Sequence, residues 1–427
     1  MATTTWFKID NAGKLFPAVT NSRRASYFRL AVTINETVDP IVLQKAAEIT
    51  LKRFPNFNTR LKKGLFWYYL ETQQRPFKVK PEPNVFGSIS EPNNPHIHLI
   101  EIYYHRQRIA IEIFHSITDG RGGMEFLKTL TLAYLRLKHY PVSSEGIIFD
   151  ADDITTDNEL EDSFQAKIKP GRSEWLPTKK AYHLKGDYFT HHGHYLTHLE
   201  MSVETLKTVA KTYQLSITGL LASVIMYQLL IQQNQENPKV RKPIILSIPV
   251  DMRKYLPSTT MKNFVMTINI GRVFPMQTTF EEIVQEVRQQ LKEGQSIEKL
   301  APQIRANMLA ERMLLLRFVP LLIKRMIIRS VFNRVGEPAL SLTMSNLGQV
   351  TMPESTKNYL ESFEFMICST KVMPINLGIV SFGDRLVMSF SRIITDRHFI
   401  QAIVQQLTST FQIPIRVYGN RWEEAHE

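Results

Sequence analysis

Strand-like and helix-like runs alternate along almost the whole of this chain, in two series separated by an acidic stretch. That alternation restricts the fold to the α/β class. In the first series, SYFRLAVTI (26–34) is rich in aromatic and β-branched residues and predicts a strand. Asp39-Pro40 opens an amphipathic helix that runs to Phe54, with Asp at the cap and Pro in the first turn. HLIEIYY (98–104) and RIAIEIF (108–114) predict a hairpin, followed at once by HSITDGRGG (115–123) and a helix over 124–137. The second series places strands near 195–201, 243–250, 264–274, 339–348, 363–370, 375–383 and 385–393. Its helices are expected over 202–214, 217–233, 278–294 and 396–411.

Between the two series the chain changes character. From Glu145 to Asp162 there are eight acidic residues and no Lys or Arg, which reads as a solvated surface crossover. The expected division is a first α/β domain at 1–140, a linker at 141–190 and a second α/β domain at 191–427, the two domains facing each other.

The composition, 43% hydrophobic and 22% charged, is that of a globular enzyme and too apolar for intrinsic disorder. The chain carries +12 at pH 7, so an anionic partner is expected: a phosphorylated ligand, an acidic protein or a lipid headgroup. Nucleic acid is not expected, because there is no helix-turn-helix spacing, zinc finger or RNA-recognition aromatic signature. Cys368 is the single cysteine; it excludes an internal disulfide and a multi-Cys zinc site, and reads as a buried small hydrophobe. MATTTWFKIDNAGKLF (1–16) lacks the basic start and apolar core of a signal peptide, and no uncharged apolar run is long enough to span a bilayer. A cytoplasmic location is the expectation.

Two other stretches invite a role. HHGHYLTH (191–198) offers His194 and His198, a zinc-binding spacing on a helix; the flanking residues indicate a strand, which separates the two by about 13 Å and leaves the cluster solvated. No metal is expected. MLAERMLLLRFVPLLIKRMIIRSVFNR (308–334) mixes long apolar runs with basic residues, and residues 305–334 hold seven Lys and Arg against Glu311 alone. Pro320 should divide it into two helices. The expected form is a helix pair covering the core, its Arg side chains reaching out to solvent. A weak peripheral membrane contact through 308–334 and a lid over a tunnel are the alternatives.

The strongest local signal is His115-Ser116-Ile117-Thr118-Asp119-Gly120. A His at a strand end has an ordinary pKa of about 6.5, suited to general-base work near neutrality. Gly120, Gly122 and Gly123 permit positive φ or close backbone approach. Asp119 is better placed for a structural ion pair than for sharing the reacting proton.

HSITDG resembles the HxxxDG core of the acyl-CoA-dependent acyltransferase superfamily, which includes chloramphenicol acetyltransferase, condensation domains and alcohol acetyltransferases. The surroundings agree in order over nearly the whole chain: RFPNFNTRL (53–61), IPVDMRKYLP (248–257), NFVMTINI (263–270) and SNLG (345–348) each resemble a family segment. The resemblance implies two domains, each a mixed sheet flanked by helices, with an active-site tunnel at their interface. It implies that His115 is the general base and that Asp119, with Gly120 and Arg253, is structural at the site. Ser345 and Asn346 would contact substrate or oxyanion. No tightly bound cofactor is implied; the co-substrate would be acyl-CoA or an acyl carrier protein thioester, and the acceptor a small alcohol or amine. Phe114 stands where many condensation domains carry a first His, which points away from peptide condensation. The alternatives are carrier-protein-dependent acylation or condensation, and a non-catalytic homologue acting as a binding scaffold.

Overall fold

The computed structural model describes residues 5–419 apart from 22–23, 88–91, 93, 170, 172, 174–178, 191–192, 237–238, 295 and 313–317. Its first part runs β1 (Trp6–Phe7), α1 (Leu15–Val19), β2 (Tyr27–Ile34), α2 (Pro40–Arg53), β3 (Thr59–Lys63), β4 (Tyr68–Thr72), β5 (Lys80–Pro81), β6 (Ile100–His105), β7 (Arg108–Phe114) and α3 (Gly120–Leu137). After the crossover, which holds α4 (Ser163–Lys167), come β8 (Tyr195–Ser202), α5 (Val203–Thr212), α6 (Ile217–Glu236), β9 (Ile244–Asp251), β10 (Val265–Arg272) and α7 (Phe280–Gly294). The remainder is α8 (Ile297–Arg312), α9 (Leu321–Val331), β11 (Leu342–Gln349), β12 (Leu360–Ile367), β13 (Ile375–Phe382), β14 (Arg385–Arg392), α10 (His398–Gln405) and β15 (Arg416–Gly419). Local chemistry sets the helix starts. Asp39 caps α2 by accepting from Ile41 N at 2.8 Å, and Ser202 caps α5 by accepting from Thr205 N at 3.1 Å.

Two mixed sheets carry the fold. One has the order β10-β9-β11-β13-β14-β8-β15, the other β12-β2-β7-β6-β5. β1, β4 and β3 form a small separate sheet. In the second sheet the period-2 alternation divides labour between faces. Phe28, Leu30 and Val32 of β2 join the core under α2 and α3, where Phe57 stacks on Phe126 at 4.6 Å. Arg29 and Ala31 point to the opposite face, toward β8. α6 is buried on most sides and centres the core of the seven-stranded sheet. No single helix among the described residues is long and apolar enough to cross a membrane.

The domain ranges read from the sequence interlock in the structure. β12 lies in the range 191–427, yet it pairs antiparallel with β2, from Ile367↔Phe28 to Leu360↔Ile34. It is an edge of the five-stranded sheet and lies against β13 of the other. At that crossing a Cβ on Gly378 would stand 2.1 Å from the Phe365 carbonyl oxygen, so only glycine admits the approach.

A buried ionic network joins the two sheets. Arg29 donates to Glu82 at 2.9 Å and to Glu112 at 2.6 Å, and Arg108 bonds Glu82 at 2.9 Å and Glu364. Glu364 accepts from Tyr418 Oη at 2.9 Å and lies 3.8 Å from His198, whose Nδ1 meets Ser389 Oγ at 2.9 Å. The His194 ring lies between the carbonyls of Phe86, 3.1 Å from Nδ1, and Ser369, 2.9 Å from Nε2, and its single N–H donates to one of them. The expected solvated His cluster is therefore corrected: His194, bridged to Phe86 just before β8, and His198 on β8 are both buried, because that side of the chain is turned to the other sheet. His191 and His192 lie outside the described residues. Burial lowers the pKa of both described histidines, which keeps them neutral.

The acidic crossover is also more than a solvated linker. Glu159 is buried and takes a bidentate pair of bonds from Arg53 at 2.8 and 3.1 Å, while Asp150 holds Arg136 at 2.6 and 2.7 Å. These two carboxylates are held by specific partners.

The basic stretch is reversed with respect to the expectation. On α9, Lys324 is buried with Nζ 3.1 Å from the Phe66 carbonyl, and Arg329 donates to the Thr20 carbonyl at 3.2 Å. The apolar side chains Leu322, Ile323, Met326 and Ile327 are the ones that face solvent. Backbone carbonyls and the Trp67 ring, 3.9 Å from Lys324 Nζ, satisfy the cations on the inside.

Candidate active site

The site is assembled from both parts of the chain at the end of β7. His115 follows the last residue of that strand, and its backbone N donates to the Ser26 carbonyl at 2.9 Å beside the start of β2. The imidazole is half-buried, stacked on Phe16 of α1 at 4.3 Å and 15°, with the Phe28 ring edge-on at 5.1 Å.

The glycines after it do a different job from the one their loop-like sequence suggests. Gly120, Gly122 and Gly123 form the first turn of α3 and none has positive φ. A Cβ on Gly122 would meet Thr118 Oγ1 at 2.1 Å and the Met261 carbonyl at 2.5 Å, so glycine is needed there for close packing. Asp119 is the helix cap. Its Oδ1 accepts from Gly122 N at 2.9 Å, and its Oδ2 accepts from Phe264 N at 2.8 Å and from Arg253 Nη1 at 2.9 Å. Three donors on one buried carboxylate, one of them the Arg253 guanidinium, give Asp119 a structural part in the loop.

Arg253, after β9, reaches across to tie down the segment that precedes β10. It donates to the carbonyls of Thr260 at 2.9 Å and Lys262 at 2.7 Å, and to Asp251 at 2.9 Å. Thr118 Oγ1 bonds the Met261 carbonyl, and Met261 N bonds the Glu159 carbonyl at 2.8 Å. Residues 258–264 thus form a strap between the His115 loop and the crossover.

The strap delivers a residue that the sequence reading did not single out. Asn263 Oδ1 lies 2.9 Å from His115 Nδ1, and Asn263 Nδ2 donates to the His115 carbonyl at 3.0 Å and to Asp10 Oδ2 at 2.9 Å. Because both Nδ2 protons are used, the amide oxygen faces the ring and accepts from Nδ1–H. The proton therefore sits on Nδ1, and Nε2 keeps its lone pair. Asp10 is itself fixed by Asn263 N at 3.2 Å and Gly13 N at 2.6 Å. Burial pushes the Asp10 carboxyl up to about 6 against those donors. Burial lowers the His115 pKa below its ordinary 6.5, outweighing the nearby Asp119 charge, so the ring is a neutral base at pH 7. A lone Asn at the start of a strand and an Asp near the N-terminus carry no local signal; only tertiary register brings them to His115.

Ser345 and Asn346 lie on β11, the strand whose next residue, Leu347, would contact a Cβ on Gly120 at 2.7 Å. β11 pairs with β9 only at Leu342↔Leu246 and Thr343↔Ser247, so the two strands part before Ser345. Ser345 is buried. The Asn346 amide is engaged internally, donating to Thr218 Oγ1 at 2.9 Å and accepting from Gly348 N at 2.8 Å. No group of three or more His, Cys, Asp or Glu among the described residues is arranged to hold a metal ion. Cys368 is half-buried and its thiol is pushed up by burial and the Glu112 charge.

A separate cavity of about 650 Å³ opens between the crossover, the end of α6 and the loop after β12. Lys180, Lys185, Lys242, Arg334 and Lys371 line it with one carboxylate, Glu236. Asn333 on its wall accepts from Arg24 at 3.0 Å, two residues before Ser26.

No family model matches the chain, and no curated protein matches it. Solved structures do. Polyketide synthase associated protein 5 from Mycobacterium tuberculosis aligns with a TM-score of 0.61 at 14% identity, covering 95% of this chain and 98% of that one. TRI101 from F. sporotrichioides, solved with coenzyme A and T-2, aligns with a TM-score of 0.63 at 11% identity, covering 96% and 99%. A wax ester synthase/diacylglycerol acyltransferase from Marinobacter aquaeolei VT8 gives 0.56 at 12% identity, covering 95% and 100%. Two mixed sheets flanked by helices, with β12 of one lying against β13 of the other, are thus the chloramphenicol acetyltransferase-like/condensation fold of these structures, and this chain has that fold over nearly its whole length.

Proposed function

We propose that the protein is an acyltransferase that moves an acyl group from an acyl thioester, a short-chain acyl-CoA in the first instance, to an alcohol or amine. The observation that carries this reading is the oriented imidazole: Nδ1–H is held by Asn263, leaving Nε2 as a neutral base at the junction of the two halves. In the reaction, Nε2 takes the proton of the acceptor hydroxyl or amine as its O or N attacks the thioester carbonyl. The tetrahedral intermediate collapses by breaking the C–S bond, and the imidazolium returns the proton to the leaving thiolate. The products are the ester or amide and the free thiol, so no covalent enzyme intermediate is required. Asp119 and Arg253 act on the backbone, holding the His115 loop against the strap. Ser345, on the strand that parts from β9, is the side chain we assign to the oxyanion or substrate. The basic cavity supports a phosphate-bearing donor, since its five cations offset the charge of a nucleotide end.

The test is thiol release from acetyl-CoA with a panel of alcohols and amines, comparing the wild type with His115→Ala. Loss of a general base should cost about 10²–10⁴-fold in rate. Equal release by both proteins overturns the His115 mechanism. Consumption of a carrier-loaded acyl group, with acetyl-CoA untouched, reassigns the donor.

A further inference from the structure

The α9 region, turned inside out, is the feature that the acyl-transfer reading leaves unused. Residues 312–336 contain six Lys and Arg and no Asp or Glu. The cations of α9 are directed inward: Lys324 to Phe66 and Trp67, Arg325 to the Tyr68 hydroxyl, and Arg329 to the Thr20 carbonyl. The outer face presents Leu322 at 69% exposure and Met326 at 66%, with Ile323, Ile327 and Val331 about half exposed. Phe318 before the helix and Val335 after it extend the same band. Leu65, 73% exposed, joins it from the β3–β4 turn, where the Leu65 carbonyl accepts from Leu321 N at 2.9 Å. A contiguous exposed band of this kind marks an interaction surface.

We infer that this band docks the protein on an anionic lipid bilayer. Charge selects that occupant. Exposed Lys63 flanks the band at one end and exposed Arg334, which also lines the basic cavity, at the other; the next acidic residue, Glu337, is buried and paired with Arg24 at 2.6 Å. A second copy seated here would set one basic surface against another. A bilayer instead takes the Leu, Ile, Met and Phe side chains into its acyl boundary while the flanking cations meet lipid phosphates. α9 packs against α1, whose Phe16 stacks on His115, so the docked bilayer lies one short helix from the imidazole.

The experiment is flotation of the full chain with vesicles of phosphatidylcholine and phosphatidylglycerol in equal parts, and with phosphatidylcholine alone. The protein should float with the mixed vesicles and bind the neutral ones about tenfold more weakly or less. Leu322→Asp with Met326→Asp should weaken binding to mixed vesicles by about tenfold or more, because charge would enter the apolar layer. Arg334→Glu with Lys63→Glu should reduce binding only to the anionic vesicles. Ile41→Asp, at an exposed apolar position on α2, should leave binding unchanged. Absence of flotation by the wild type overturns the inference, as does unaltered flotation of the Leu322/Met326 variant. A wild-type dimer in light scattering that this variant splits also overturns it and assigns the band to self-association. Flotation involves no turnover, so its result is independent of the acyl-transfer test.

Discussion

Replacing Asn263 by Leu removes the acceptor that holds the His115 proton on Nδ1 while keeping nearly the same side-chain volume. The bond at issue is a neutral one of 2.9 Å, and such bonds contribute about 1 kcal/mol net. Without it, the Nδ1–H tautomer leaves a buried donor unpaired, so the tautomer with the proton on Nε2, which cannot act as a base, becomes the favoured one. A loss of about 1–1.5 kcal/mol corresponds to about tenfold in rate. The ring is still clamped between Phe16 and Phe28, so the loss should stop well short of that for His115→Ala. In the thiol-release assay kcat should fall about tenfold with KM for the thioester unchanged. The pH profile separates orientation from damage. Asn263 also stabilises the imidazolium, so its removal should move the acid limb to lower pH. Partial unfolding would instead move that limb up, since acid would then unfold the variant earlier. A plateau rate within twofold of the wild type, or a raised KM at constant kcat, refutes the assignment of Asn263 as the residue that positions the base.

Three further outcomes are expected. The acid limb of kcat/KM in the wild type should lie below pH 6.5, because burial depresses the His115 pKa; a limb above 6.5 in steady-state assays contradicts the buried neutral base. Gly378→Ala should lower thermal stability by about 1–3 kcal/mol or more, because the new Cβ meets a backbone carbonyl that cannot move aside; an unchanged melting temperature refutes the close sheet crossing. Burial opposes ionisation of Glu364, yet the Arg108 charge, with the hydrogen bond from Tyr418, holds its carboxyl at about 2. A depressed carboxyl adds stability above its ordinary 4.5, and that stability is lost as pH falls from 4.5 toward 2. His194 and His198, depressed below 6.5, add a loss that begins higher, as pH falls through 6.5. Urea unfolding of Glu364→Gln at pH 7 should show a deficit of about 3–5 kcal/mol that narrows as the wild type is acidified. A deficit independent of pH contradicts the pairing.

Much of this was legible in the chain, and the exceptions share a cause. Strands and helices follow from period and caps, as Asp39-Pro40 and Ser202 illustrate. The His115 loop announces itself by residue type, and its resemblance to a family motif supplied the expectation that Asp119 meets Arg253. What sequence period does not carry is which way a face turns. α9 has a clear apolar stripe and interleaved cations, and only its neighbours, Trp67 and the Phe66 carbonyl, decide that the cations go inward. His194 and His198 alternate as a half-exposed strand should, but a second sheet covers the side they occupy. Asn263 and Asp10 lack any local mark because their partner stands more than a hundred residues away. Glu159 reads as one acid among eight until Arg53 is brought to it from α2.

The pairing of β12, from the second half of the chain, with β2, from the first, has a consequence for synthesis. β2 emerges from the ribosome early, and its ladder partner follows only after more than three hundred residues, with Leu360 opposite Ile34. Until then β2 presents an open row of amide and carbonyl groups, the arrangement most prone to pair with a foreign strand. The first sheet therefore cannot close before nearly the whole chain exists. The sheet that carries His115 is in this way completed only after the segment that carries Asn263 has been made, and a chain ended before β12 exposes a sticky edge.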